Sequence, residues 1–182
     1  FSTYAGNPYF ISLEELIEQK LLTEKECDKV DFGNKIDKVD YEKLYNGRFK
    51  LLKKAYKRSN IREREEFKKF KDENQYWLND YAMFMAIKER FKGQSFDNWA
   101  EDIKLRWGYS MEYYQNELKE EIEFYEFVQY EFYRQWYKLK KYANDNGVKI
   151  IGDIPIYVAY DSADVWSHPE LFQMEEKKKT IA

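Results

Sequence analysis

Apolar residues recur at helical spacing along most of the chain, and the breaks in that rhythm fall at capping residues and at a few glycines. Near the N-terminus Gly6, Asn7 and Pro8 mark a loop, because proline drives the residue before it out of the helical region. Ser12 with Glu15, and Thr23 with Glu26, have the spacing of a capping box, in which side chains and backbone at a helix start satisfy one another. The first opens a short helix over 13–19. Asp31, Phe32, Gly33 and Asn34 read as a turn, and Val39 and Asp40 lead into a helix over 41–58. Ser59 and Asn60 cap a further helix expected over 61–91, where Phe67, Phe70, Tyr76, Trp77, Tyr81, Phe84, Met85 and Ile87 mostly keep helical spacing. Gly93 ends it, Ser95 is expected to cap a short helix carrying Trp99, and Trp107-Gly108 breaks the pattern again. The longest helix is expected over 110–146. There Leu118, Ile122, Tyr125, Gln129, Phe132, Trp136 and Leu139 advance by alternating steps of four and three, one stripe down one face. Gly147 stands where a left-handed C-terminal cap belongs.

The texture changes at Val148. Residues 148–159 are rich in β-branched side chains and almost continuously apolar, which predicts a strand buried on both faces, as in a parallel sheet. A long helix, a glycine and a buried strand make the helix-to-strand half of a β/α unit, so the expected fold class is α/β, dominated by helices. A parallel strand needs a neighbour on each edge, and no other run in the chain offers one. The 182 residues include only 7 Gly and 3 Pro, begin at Phe1 and end in Thr180-Ile181-Ala182 after the charge run 175–179. The chain therefore reads as an excerpt of a larger protein.

Composition narrows the class. With 13 Phe, 5 Trp and 17 Tyr, 19% of the chain is aromatic, far more than a disordered segment carries. Lys and Arg number 31 against 34 Asp and Glu, so no basic surplus points to nucleic acid. No apolar run approaches the roughly 20 residues of a membrane span, and Phe1-Ser2-Thr3-Tyr4 has neither the basic nor the apolar region of a signal peptide. A single Cys27 excludes an internal disulfide and suits a reducing cytoplasm, the expected location. With one His168 besides, the common zinc constellations are excluded, and no cofactor is implied.

Candidate chemistry gathers around the apolar run. Asp153 stands at the edge of the expected strand with Pro155 just beyond it, and polar residues at strand ends face the ligand in β/α folds. Asp161, Ser162 and Asp164 follow at once. Paired carboxylates are the usual machinery of glycosidic bond chemistry, and Asp153, Asp161 and Asp164 offer such groups. Equally, Asp161 or Ser162 serves as a cap for a helical turn over 163–166. Most aromatics at helical spacing are core, whereas Tyr4, Tyr9, Tyr45 and Tyr160 lie in or beside loops, where a stacking platform for a sugar ring is as good a reading. His168 lacks a partner for catalysis and reads as a loop contact. Phosphate-binding glycine loops, nucleophile elbows and C-x-x-C pairs do not occur. Arg62, Glu63, Arg64, Glu65 and Glu66 read as a solvated helix face.

Gly152-Asp153-Ile154-Pro155-Ile156-Tyr157-Val158-Ala159-Tyr160-Asp161-Ser162-Ala163-Asp164-Val165-Trp166 closely resembles the G-D-x-P-I-[FY]-V-A-x-D-S-A-[DE]-V-W motif of the amylomaltases, the 4-alpha-glucanotransferases of glycoside hydrolase family 77. Ala5-Gly6-Asn7-Pro8-Tyr9, the stretch 77–86 beginning Trp77-Leu78-Asn79-Asp80-Tyr81, and Phe132-Tyr133-Arg134-Gln135-Trp136 agree in the same order. Val39-Asp40-Tyr41 with Leu44-Tyr45 is similar to the family's V-D-Y-x-x-L-Y. The resemblance implies a (β/α)8 TIM barrel decorated with helical insertions. It also implies transfer of alpha-1,4-glucan segments between maltooligosaccharides by a retaining double displacement, in starch, glycogen or maltodextrin metabolism. Its implied partners are maltooligosaccharides or alpha-glucan, without nucleic acid or membrane. Asp153 matches an acidic substrate-site position and Tyr45 a tyrosine of outer glucan binding; Asp161 and Ser162 complete the expected substrate-binding set.

The family's nucleophile motif, R-x-D-H, its acid/base motif, E-D-L-G, and H-D-N do not occur in these 182 residues. No residue of this chain is therefore assigned a catalytic role, and the chain alone is expected to be inactive. It is expected to be one partial catalytic-domain segment: a mostly helical insertion region over 1–109, then the long helix, a barrel strand and the loop after it over 110–182. An open barrel segment would expose apolar faces, so self-association of the isolated piece is expected. The alternative is a standalone helical carbohydrate-binding or interaction module without catalysis.

Overall fold

The computed structural model describes residues 1–33 and 37–174, all of it helices and connecting loops apart from a single isolated β-bridge at Met174. Eight α-helices are ordered along the chain: α1 (Leu13–Glu18), α2 (Glu24–Asp28), α3 (Tyr41–Arg58), α4 (Glu65–Arg90), α5 (Glu101–Lys104), α6 (Gly108–Glu117), α7 (Lys119–Asp145) and α8 (Ala163–Ser167). Among the described residues four single 3-10 turns accompany them: one before α1, one between α3 and α4, one between α4 and α5, and one after α8. Asn34 of the expected turn and the charge run 175–179 lie outside the described residues.

The chain divides into two compact units. One takes Phe1–Ala5, Lys71–Glu126 and the chain from Ile151 onward; the other takes Gly6–Phe70 and Phe127–Ile150.

In the second unit the sequence signals act where they stand. Asn7 Oδ1 accepts from Tyr9 N at 3.0 Å and caps the turn Pro8–Phe10, while Ser12 Oγ accepts from Glu15 N at 3.2 Å and starts α1. The Thr23–Glu26 capping box opens α2, and Asp40 opens α3 by accepting from Lys43 N at 3.1 Å. Ile11, Leu16, Leu21, Leu22, Leu51, Leu52, Ala55, Phe127 and Val128 form its core. Polar side chains then tie the loops down. Gln129, fully buried, accepts from Gly6 N at 2.8 Å and donates to Gly6 O at 3.1 Å, and Gln135 accepts from Ser12 N at 2.7 Å. Arg48 donates to the carbonyls of Ile11 and Tyr9 at 2.7 and 3.0 Å.

The first unit is built on Phe84. Its ring lies 5.4 Å from Trp99, 5.8 Å from Trp166 and 6.5 Å from Phe96, and Trp99 meets Trp166 edge to face at 5.8 Å. Aromatic pairs in these offset geometries add to the burial of their area. From Tyr81 to Lys88 every residue of α4 is buried, as expected of helix covered on all sides.

Three helix boundaries differ from expectation. The residues after Asn60 (φ +47°) make a separate 3-10 turn, Ile61–Glu63, and α4 begins only beyond the extended Arg64, whose Nε donates to Ser59 O at 3.1 Å. The expected helix over 110–146 is two helices, broken at Leu118 (φ −109°, ψ 25°). One residue out of the helix leaves the apolar period almost in step, so periodicity did not reveal the break. Ser95 precedes a 3-10 turn with Trp99 as its C-cap, and its side chain makes no capping bond.

Helix ends follow the Schellman pattern. Val148 N donates to Ala143 O at 2.9 Å and Gly147 N to Asn144 O at 3.0 Å, with Gly147 at φ +77°. The same pair of bonds closes α4, but there the left-handed residue is Lys92 (φ +54°), one position before the expected Gly93. Arg106 (φ +58°) and Lys20 (φ +62°) occupy the same place after α5 and α1.

The buried parallel strand over 148–159 is not present. The segment has neither helix nor ladder, and Ile151, Ile154, Ile156 and Tyr157 are 82–93% exposed. The reason is the missing edges: a lone extended segment has nothing to accept its N–H groups or cover its side chains.

Candidate functional site

The fifteen-residue motif 152–166 divides into two parts of opposite character. Residues 152–157, including Asp153, are exposed and lie outside helix and strand. From Tyr160 onward each side chain is held by the first unit. Asp161 accepts from Lys88 Nζ and, at 3.2 Å, from Phe96 N. Lys88 is 6% exposed, donates also to Gln94 O at 3.2 Å, and lies 5.1 Å over the Phe1 ring. The Tyr160 hydroxyl donates to Asp97 Oδ1, and its ring sits 5.1 Å from Phe96. Burial, reinforced by Asp97, pushes the Tyr160 phenol well above its ordinary range, so it remains a donor. Asp97 is shared with Lys104, 3.2 Å away.

Ser162 is buried, and its hydroxyl caps α8 by accepting from Val165 N at 3.3 Å. Asp164 accepts from Thr3 N at 2.8 Å, and Trp166 donates to Ile103 O at 3.1 Å. Asp161 and Ser162 thus sit side by side with their polar atoms engaged inside the unit, while Asp153, in the same unit, faces solvent. Tyr45 belongs to the other unit, on α3, 44% exposed, its ring 4.5 Å from Phe49.

Both units carry hollows. In the first, a cavity of about 340 Å³ is walled by Tyr4, Trp77, Asp80, Asp164 and His168. Tyr4 is stacked on Trp77 at 6.0 Å, and Asp80 accepts from Arg106 at 2.6 Å. His168 Nδ1 lies 3.1 Å from the exposed Glu170 carboxylate, as a loop contact would. In the second, the end of the α7 stripe (Phe132, Trp136, Leu139) and Phe10 and Tyr142 line an apolar hollow of about 920 Å³. Among the described residues no cluster of His, Cys, Asp or Glu could hold a metal ion, and no helix is long and apolar enough to cross a membrane.

Sequence reasoning missed Lys88 and Asp97. A signal for Lys88 was present: one cation after the apolar run Met83 to Ile87 must either reach solvent or find a buried anion. Asp97, in a short loop, carried none.

This exposed carboxylate on an aromatic-rich helical scaffold has clear relatives. Glycoside hydrolase family 77, 4-alpha-glucanotransferase, matches residues 1–179. The 4-alpha-glucanotransferase of Clostridium butyricum is 45% identical over 177 residues, covering 97% of this chain and 36% of that protein. That of Streptococcus pneumoniae is 43% identical over 181 residues, covering 98% and 36%. An amylomaltase from Streptococcus agalactiae, solved in complex with acarbose, superposes with a TM-score of 0.90 at 38% identity, over 98% of this chain and 36% of that one. The class is therefore that of glycoside hydrolase family proteins. More narrowly, the chain belongs to the 4-alpha-glucanotransferase family, and it spans about a third of the length of the relatives it matches.

Proposed function

We propose that the protein to which this chain belongs is a cytoplasmic 4-alpha-glucanotransferase, moving alpha-1,4-glucan segments between maltooligosaccharides. The observation that carries this reading is the match to that family along residues 1–179 together with the superposition on an amylomaltase. The acarbose in that neighbour, an analogue of a maltooligosaccharide, supports glucan as the substrate class. The match over nearly the whole chain favours the enzyme over a standalone binding module.

In a retaining transfer one carboxylate attacks the anomeric carbon, and a second protonates the leaving oxygen and then deprotonates the acceptor hydroxyl. The chain lacks the sequence motifs for both groups, so its share of the work is to bind and position. We assign Asp153 to the substrate site, where its exposed carboxylate accepts hydrogen bonds from sugar hydroxyls. Tyr45 is assigned to an outer glucan contact, where its exposed ring covers the apolar face of a sugar. The 182 residues form part of a barrel catalytic domain with helical insertions, and the apolar side chains of 151–157 gain their burial from the rest of that domain.

Maltotriose disproportionation tests the reading. Glucose release by the full-length protein but not by the 182-residue chain is expected. Turnover by the short chain would overturn it and return attention to Asp153, Asp161 and Asp164 as reacting groups.

A further inference from the structure

Lys88 stands out as a cost without an evident return in stability. Taking an ammonium group out of water is expensive, and a buried ion pair seldom recovers more than an apolar residue of the same size would give. The neighbours at 81–87 are all buried, so a methionine at 88 would fit its surroundings. What the ion pair provides is direction. Lys88 Nζ meets Asp161 and Gln94 O; the other oxygen of Asp161 meets Phe96 N at 3.2 Å; and the preceding residue, Tyr160, donates to Asp97. Two consecutive side chains just after the segment 148–159 are thereby fastened to one short loop, residues 94–97.

In a strand, the conformation the composition of this segment favours, successive side chains turn to opposite faces, so sliding the segment by one residue would turn Asp153 away from its ligand. The fastening at 160 and 161 forbids that slide. Resting on the glucan-transfer reading above, we propose that Lys88 is a positioning residue: through Asp161 it sets the register of the segment that presents Asp153 to the substrate. Asp161 then belongs to the support of the site rather than to the sugar contacts.

The test uses the full-length protein with Lys88→Met, Lys88→Arg, Asp153→Asn and the double variant Lys88→Met/Asp153→Asn. Lys88→Met leaves Asp161 without its cation and is expected to lower the melting temperature, while kcat/KM for maltotriose, measured well below that temperature, falls about tenfold or more, as small misplacements at a reacting site do. Lys88→Arg should restore most of the loss. The double variant should be no worse than Asp153→Asn alone, because Lys88 acts only through that carboxylate. Hydrogen–deuterium exchange over 153–160 should quicken in Lys88→Met, a readout independent of activity. The proposal is overturned if kcat/KM stays within twofold, if the two substitutions add, or if exchange is unchanged. Should Lys88→Met not fold, Lys88→Met with Asp161→Asn removes both charges, keeps the Phe96 N–H accepted and gives the same readouts. Absence of glucan transfer in the unsubstituted protein would defeat the functional reading, while the exchange experiment would still decide whether Lys88 holds the segment.

Discussion

Replacing Gly6 by alanine tests how rigidly the N-terminal loop is held in its unit. A Cβ at Gly6 would lie 1.9 Å from Cδ1 and 2.2 Å from Cε1 of Phe132, so something must move by well over an ångström. The backbone is poorly placed to give way, since Gly6 N and O are both bonded to the side-chain amide of fully buried Gln129. The Phe132 ring has more freedom because it lines the 920 Å³ hollow. Overpacking of this kind costs roughly 1–3 kcal/mol, and stranding one group of the buried amide adds about 1–3 kcal/mol. Alanine recovers about 0.4–1 kcal/mol by restricting the unfolded chain. The net expectation is a loss of about 1–3 kcal/mol, the low end (overpacking less the alanine gain) if the ring swings and the high end, with a stranded amide group added, if the backbone shifts. Urea unfolding followed by far-ultraviolet circular dichroism measures it. Adding Phe132→Leu to Gly6→Ala should recover at least about 1 kcal/mol, since contacting residues couple. A change below about 0.5 kcal/mol in Gly6→Ala, the size of an ordinary surface substitution, would refute the reasoning.

Three further outcomes are expected. Glu26 accepts from Arg58 at 2.7 and 2.8 Å, and that guanidinium holds its carboxyl well below the usual carboxylate range. A carboxyl depressed in the folded state stabilises fully above its unfolded value, near 4.3, and loses that contribution as the pH falls below it. The melting temperature of Glu26→Gln should therefore lie below that of the unsubstituted chain near neutrality and converge with it in acid; a constant gap would contradict this. Lys92 holds a left-handed conformation at the end of α4 with its side chain exposed, so Lys92→Gly should stabilise by roughly 0.5 kcal/mol, read from the urea midpoint, despite the greater freedom of glycine when unfolded. The isolated chain should associate through its exposed apolar segment, and Ile154→Lys with Ile156→Lys should suppress the association in light scattering; a monodisperse monomer at all concentrations would contradict it.

Local chemistry was legible in the sequence, and its limits are physical. The expected caps at Ser12, Thr23 and Ser162 act as their residue types require, because a cap is a bond between neighbours in sequence. Gly147 was legible for the same reason. Lys20, Lys92 and Arg106 were not: basic side chains suit the negative end of a helix, yet a positive φ at such residues leaves no mark on composition. The expected strand failed differently. A run of Ile, Val and Tyr states a preference for burial, but its fulfilment depends on neighbours that are not in these residues. Of the four expected substrate-binding positions, the spacing gave Asp161 and Ser162 two competing readings, contact or cap. The structure engages the Ser162 hydroxyl in the cap and both Asp161 oxygens with Lys88 and Phe96 N.

The two parts of the motif 152–166 thus draw on different sources of order. Residues 160–166 are self-sufficient: an ion pair, a tyrosine hydroxyl, a serine cap and a buried tryptophan each find their partner inside one unit. Residues 152–157 find none of the burial their composition asks for, although the functional reading puts the substrate carboxylate, Asp153, among them. A site arranged this way separates placement from presentation. The anchored part holds residues 160 and 161 to Lys88 and one short loop, through contacts of its own unit. The presented part stays free of internal bonds, so the Asp153 carboxylate is not spent before substrate arrives. A carboxylate already paired within the fold, as Asp161 is, would have to give up its ion pair with Lys88 to bind an uncharged sugar hydroxyl. On energetic grounds the exposed member of the motif is therefore the better ligand contact, and the engaged members are its support.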